Sequence, residues 1–246
     1  MESTVTEIAP DTFRISTFQP DYGIQFNQFL LRDDEPFLMH TGLKRMFATT
    51  LAAVRTLIDP ATLRWIGYSH FEPDECGALN EWSALAPRVQ ALSGFVGAMV
   101  MLQDYADRPG KTLADDEVQP LGRHRLRYLA TPHVPHGWDA GFFFDETEGT
   151  LFCSDLFFQP GDPEPLIADG IVARAREAIQ FGRTSPLAND MPYTARTGEA
   201  LARLAALAPR TLAVMHGSSF RGDCRTALLG LGAAIDELLG GRSASA

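Results

Sequence analysis

Three short apolar runs in this sequence each stop on a residue that can bind a metal. Leu63–Ser69 runs into His70, Leu151–Ser154 into Asp155, and Thr211–Met215 into His216. Runs of this length suit buried strands. In an open α/β sheet the carboxyl ends of the strands converge on one crevice. One such ending is ordinary, but three confine the chain to a layered α/β fold with polar side chains gathered along one edge.

The remaining pattern agrees with that class. Val5–Phe18, Ile24–Arg32 and Phe37–His40 read as strands, the last two parted by the charged turn Asp33-Asp34-Glu35-Pro36. Phe47, Leu51, Val54, Leu57 and Ile58 recur at helical spacing and stop before Pro60. A helix is expected over Gly77–Leu85, and strands over Val96–Leu102, Leu126–Ala130 and Gly141–Asp145. Helices follow over Gly170–Phe181, Thr194–Ala208 and Asp223–Leu239. Strands and helices interleave throughout, so the expectation is a packed α/β architecture with a mixed sheet. No repeat or linker divides it. A single domain is expected over residues 1–240, with 241–246 as a frayed tail.

Charge and composition remove several classes of function. The 21 Lys and Arg against 31 Asp and Glu give a net charge of −10. An acidic surface repels phosphate backbones, so no nucleic-acid partner is expected. The one basic stretch, Arg123–Arg127, reads as a solvated strand edge. No apolar run is long enough to span a bilayer, which argues against a membrane protein. Met1-Glu2-Ser3-Thr4 lacks the layout of a secretory signal. Cys76, Cys153 and Cys224 are odd in number and show no CxxC spacing, as reduced thiols in a cytoplasm would.

The chemistry concentrates in His70-Phe71-Glu72-Pro73-Asp74-Glu75. Three carboxylates this close repel one another, and a polyvalent cation converts that repulsion into charge compensation. An acidic helix N-terminus would use the same residue types. The later pair His133 and His136, together with Asp155 and His216, favours the metal. Tyr68 and Tyr193 are candidate hydrogen-bond donors to a bound ligand. Trp82, Trp138, Phe142, Phe143, Phe144, Phe157 and Phe158 are candidates for an apolar pocket or, more simply, for core. Cys76 and Cys153 adjoin the cluster in sequence and are expected to point away. His40 and His124 show no partner pattern and are assigned no role.

Taken together, the His70–Glu75 motif, His136, Leu151–Asp155, Ala188–Tyr193 and His216-Gly-Ser-Ser-Phe-Arg221 resemble the diiron domain of flavodiiron proteins. The resemblance covers essentially the whole chain. It implies a metallo-β-lactamase-like four-layer αββα sandwich. It further implies one iron on His70, Glu72 and His136, a second on Asp74 and His216, and Asp155 bridging them. His136 is preferred to His133 because the Trp138-Asp139 pair and the Phe-rich strand follow it as in the family.

Two departures matter. The family places His after the motif aspartate, where this chain has Glu75. Glu75 then either ligates the second metal or leaves it an open position. The family also continues into an FMN-carrying flavodoxin-like domain, for which these 246 residues leave no room. The resemblance is therefore nearest to stand-alone oxygen-binding diiron proteins, expected to carry no FMN and to draw electrons from, or signal to, a separate partner. A homodimer is in keeping with the family.

Hydrolytic members of the superfamily show His-x-His-x-Asp-His and work through metal-bound hydroxide. Glu72 and Glu75 replace two of those imidazoles here, and carboxylate with imidazole suits iron or manganese, with zinc not excluded by affinity. The expected function is binding of dioxygen, for sensing or reduction. The alternative is a zinc-dependent hydrolase.

Overall fold

The protein is described by a computed structural model covering residues 2–185 and 190–240. Ala188 and Asn189 of the family-like segment, and the tail 241–246, lie outside the described residues. Two mixed seven-stranded sheets form the centre. The first runs in chain order: β1 (Thr4–Ala9), β2 (Thr12–Gln19), β3 (Ile24–Leu31), β4 (Phe37–Met39), β5 (Trp65–Gly67), β6 (Gln90–Gly94) and β7 (Lys111–Leu113). Its first four strands are antiparallel neighbours, and β4 to β7 are parallel.

The second sheet contains β8 (Val118–Pro120), β9 (Arg125–Ala130), β10 (Gly141–Asp145), β11 (Thr150–Phe152), β12 (Leu166–Ile167), β13 (Thr211–Ala213) and β14 (Ser219–Phe220). Its spatial order is β12-β14-β13-β11-β10-β9-β8. Helices α1 (Phe47–Val54), α2 (Pro73–Cys76), α3 (Leu79–Leu85) and α4 (Gln103–Tyr105) follow strands of the first sheet. The longer α5 (Ile171–Gly182), α6 (Thr197–Ala206) and α7 (Cys224–Leu239) follow strands of the second.

Alternation along the strands builds the layers, since neighbouring residues face opposite sides of a sheet. Phe29, Leu31, Phe37, Met39 and Trp65 join Phe143 and Phe152 in the core between the sheets. Their odd-numbered register leaves Leu30, Leu38 and Ile66 to meet Val54, Leu79 and Trp82 under α1 and α3. Phe142 and Phe144 turn the other way, packing with Leu204, Leu228 and Leu231 of α6 and α7. Rings of Phe37 and Phe143 meet at 5.4 Å across the sandwich. Each fully buried phenylalanine contributes about 1.5–3 kcal/mol. The result is an αββα sandwich, as the sequence leads one to expect.

Several local expectations need correcting. Val96–Leu102 is no strand: Gly97–Leu102 is a π-helical turn leading into α4, and the strand of this region is β6. An unbroken apolar run carries no periodicity to separate the two. Val5–Phe18 is a hairpin that turns at Pro10-Asp11, where Asp11 has φ 56°. The helix expected over Gly77–Leu85 is α3, Leu79–Leu85, while the short α2 inside the His70 motif was not expected. By contrast α7 begins as capping rules require, with the Asp223 carboxylate accepting from the Thr226 N–H at 3.0 Å.

Candidate metal centre

The carboxyl ends of β5, β11 and β13 deliver His70, Asp155 and His216 to one edge of the sandwich, and α2 supplies Asp74 and Glu75. His136 arrives from the loop before β10. That loop is tied down by Asp139, whose Oδ2 accepts from the Phe71 N–H at 2.9 Å.

The distances fall into a repeating pattern. His70 Nε2 lies 3.7 Å from Glu72 Oε1 and 3.5 Å from both Glu75 Oε1 and Asp155 Oδ2. His136 Nε2 lies 3.2 Å from Glu72 Oε1 and 3.5 Å from Asp155 Oδ2. His216 Nε2 lies 3.4 Å from Asp74 Oδ2 and 3.3 Å from Asp155 Oδ1. The two oxygens of Asp155 thus face opposite halves of the cluster. Ligands bound at about 2.1 Å around one ion sit roughly 3–3.5 Å from each other. The spacings match the edges of two coordination polyhedra sharing Asp155.

The orphaned atoms point the same way. His70 Nε2, His136 Nε2 and Glu75 Oε2 are buried without a hydrogen-bond partner. Such groups are costly unless something else satisfies them. His216 Nδ1 and His70 Nδ1 are occupied, by Gln25 O at 2.8 Å and Ser69 Oγ at 3.0 Å, which aims each Nε2 at the cluster. Groups of His70, Glu72 and His136, of His70, Glu75 and Asp155, and of Glu72, Asp74 and Glu75 each bring ligand atoms within 4.8 Å of one another. Glu75 therefore sits among both halves, in reach of His70, Asp155 and Asp74. A mixed His/carboxylate set fits iron well.

Protons take the role of a cation in this set. Burial, then repulsion from Asp155 and Asp74, raises the Glu75 carboxyl well above its ordinary range. The facing imidazoles of His136 and His70 lower Glu72 to about 2, against burial. Burial works against protonation of His216, yet the hydrogen bonds to Asp155 and Asp74 raise it to about 10. Burial likewise opposes the charge on Asp155, and the bonds and fields of His216, His70 and His136 still depress its pKa.

A polar relay lies behind His70. Ser69 Oγ is 3.0 Å from His70 Nδ1, 2.6 Å from Ser154 Oγ and 3.2 Å from His40 Nε2. If His70 Nε2 offers its lone pair to a metal, Nδ1 carries the proton and Ser69 accepts it. The hydroxyl then has one proton to give. Donation to Ser154, which donates in turn to Asp155 Oδ2 at 3.5 Å, leaves only an acceptor, His40 Nδ1, unpaired. Donation to His40 instead would strand a buried N–H, the costlier outcome. His40 (φ 63°) and Ser154 (φ 49°) both hold left-handed backbone, costing on the order of 1 kcal/mol each.

His40 was not signalled by the sequence pattern, and Asp139 entered it only beside Trp138 with no role of its own, because their partners lie in distant segments. His133 is exposed and outside the cluster. Tyr68 donates to Ser93 and Tyr193 to Asp236, at 2.9 and 2.6 Å, so both phenols are engaged away from the ligands. Cys76 Sγ bonds to Glu72 O, and Cys153 lies in the core behind the second sheet. Trp138 is 53% exposed. The aromatic walls of His216 are Phe26 and Phe158, at 5.2 and 5.6 Å. His124 pairs with Asp145 at 2.9 Å, outside the cluster.

Fold and cluster together define a metallo-β-lactamase-like domain of the flavodiiron kind. The family model described as ODP family beta lactamase matches residues 24–217, and the chain belongs to that family. A putative diflavin flavoprotein from Nostoc sp. is 30% identical over 138 residues, covering 55% of this chain and 24% of that one. The chain spans about a quarter of the length of the curated relatives it matches first. Among solved structures, the rubredoxin oxygen:oxidoreductase of Desulfovibrio gigas superimposes with a TM-score of 0.79 at 21% identity, covering 94% of this chain and 61% of the other. A fragment of putative diflavin flavoprotein A 5 from Nostoc sp. gives 0.77 at 19%, covering 97% and 96%.

Proposed function

We propose that the chain is a non-haem diiron domain that binds dioxygen and either senses or reduces it. The observation that carries this reading is the split of Asp155, one oxygen in each half of the cluster. His70, Glu72 and His136 would hold one iron, and Asp74, Glu75 and His216 the other. Two irons there would supply the redox equivalents and a coordination position for dioxygen. The four carboxylates Glu72, Asp74, Glu75 and Asp155 would balance the charge of two divalent ions and leave them weak Lewis acids, unsuited to hydrolysis. Phe26 and Phe158 exclude water around His216. Glu72 keeps 48% of its side chain exposed and forms the mouth of the site.

The names of the relatives support iron and oxygen, and zinc or manganese gains no support from them. Electrons would come from a separate flavin- or rubredoxin-type donor, or the oxygen-bound state would be read by a signalling partner. We propose a working unit of residues 1–240, in the cytoplasm and as a homodimer. Among the described residues no helix is long and apolar enough to cross a membrane. The test is metal analysis of anaerobically purified protein, followed by its optical spectrum as air is admitted. About two irons per chain and a new band support the proposal. Two zincs and no spectral change, even after loading with ferrous iron, would instead mark a hydrolase.

A further inference from the structure

β5 and β6 begin as far from the cluster as their length allows, and their starting ends are chemically distinct from it. Arg64 precedes β5, Arg88 lies just before β6, Gln90 opens it, and Arg108 lies before β7. With Pro87 and Pro109 they line a cleft of about 370 Å³. The setting is unusual for a chain with 31 acidic and 21 basic residues. Several arginines elsewhere pair with a carboxylate, as Arg123 does with Asp11, Arg174 with Glu164 and Arg203 with Asp115. Among the described residues, none of the three cleft arginines has a carboxylate within 4.0 Å.

Two of the three are fixed by neutral partners. Arg64 donates to Arg88 O at 2.8 Å and to Gln90 Oε1 at 3.2 Å, and its guanidinium lies 3.7 Å over the Trp65 ring. Arg108 donates to Ala86 O at 3.2 Å and Pro87 O at 2.9 Å. Their remaining N–H groups, the exposed Arg88 and the Gln90 amide NH₂ make the side chains of the cleft rich in donors. Guanidinium groups held in place with donors to spare match the planar, bidentate geometry of oxyanions. We propose that this cleft binds a phosphate-class oxyanion.

Arg108 and Pro109 also border a second groove of about 510 Å³, lined by Phe95, Met99 and Leu102. Phe95 is 65% and Met99 51% exposed. The phosphate could therefore belong to a soluble molecule or to a lipid headgroup, and the experiment has an arm for each. The intact chain is titrated calorimetrically with inorganic diphosphate, and separately co-sedimented with phosphatidylcholine vesicles with and without phosphatidylglycerol. Saturable diphosphate binding without vesicle binding identifies a free phosphate ligand. Vesicle binding that needs phosphatidylglycerol identifies a headgroup. In either case Arg88→Ala and Arg108→Gln are expected to weaken binding about tenfold or more, while the distant exposed Arg225→Ala leaves it unchanged. Arg88 makes no side-chain bond among the described residues, so its variant should fold, and a thermal melt verifies this. Binding to neither probe, or binding that both cleft variants leave intact, overturns the proposal.

Discussion

His70 and His216 present the same atom to the same cluster, yet they are anchored by different means. His216 Nδ1 is held by a backbone carbonyl, Gln25 O on β3. Its loop is clamped further by Asn27 Nδ2, which reaches Val214 O and Gly217 O at 2.9 Å, and by the buried Arg14, which reaches Gly217 O at 3.0 Å. Gly217 has φ 119°, and a Cβ there would meet Gln159 Cβ at 2.6 Å, so only glycine fits. His70 instead leans on a hydroxyl, Ser69, shared with His40 and Ser154. One imidazole is anchored on a main-chain carbonyl and the other on a side-chain hydroxyl. The first is rigid, and the second can be retuned one residue at a time.

Asp155 belongs to both halves, so removing it should produce the largest effect. Asp155→Ala is expected to abolish binding of both metals, read as metal content per chain. Full loading of this variant would sink the bridging assignment. Next come the variants that separate the halves. His136→Ala should lose one equivalent and His216→Ala the other, with distinct spectra for the two half-loaded proteins. The exposed His133→Ala, itself at a left-handed position (φ 69°) outside the cluster, should retain both. Identical loss from His136→Ala and His216→Ala would mean that the halves are not independent.

A smaller effect tests the anchoring itself. Ser69→Ala deletes the acceptor of the His70 Nδ1–H and the bridge to Ser154. Loss of such outer partners commonly costs about 10–100-fold in metal affinity. The expectation is a drop of this size, confined to the His70 half, with Ser69→Thr restoring much of it. Asn27→Ala should instead appear mainly in stability, by about 1–3 kcal/mol, because it leaves buried carbonyls unpaired. Equal affinity losses from the two variants would erase the distinction between side-chain and main-chain anchoring.

The same distinction explains what the sequence discloses. The residues that gather in the cluster were legible because apolar strands end on His or Asp, a local signal. The pattern itself gave only packed α/β layers, and the αββα arrangement came from the family resemblance, because a run such as Phe29-Leu30-Leu31 is apolar on both faces and assigns neither. β7, β12 and β14 left no such trace, since strands of two or three residues are too short to alternate. His40 was passed over because its partner, Ser69, is 29 residues away and pairs with it only once β4 and β5 lie side by side. The arginine cleft escaped for the same reason: Arg64, Arg88 and Arg108 are spread along the chain and meet only at the starting ends of parallel strands.

The smallest effect expected is a pH dependence that differs between metal-free and metal-loaded protein. In the absence of metal, His216 is raised from 6.5 to about 10, burial being outweighed by Asp155 and Asp74. A pKa raised by folding contributes stability that is complete below the unfolded value and disappears as pH climbs through the folded one. The metal-free protein should therefore lose stability progressively from about pH 6.5 to pH 10. A metal needs the neutral imidazole, so loading displaces that proton and removes the loss. The gap in melting temperature between the two forms should widen over this window, on the scale of about 2–4 °C per kcal/mol for a chain of this size. Glu75, also raised, releases a second proton on loading, and metal affinity should fall as pH is lowered. Calorimetry in buffers of different ionisation enthalpy counts the protons released. None released at pH 7 would show that His216 and Glu75 are not where the metal competes, and would return the main-chain-anchored half to a purely structural role.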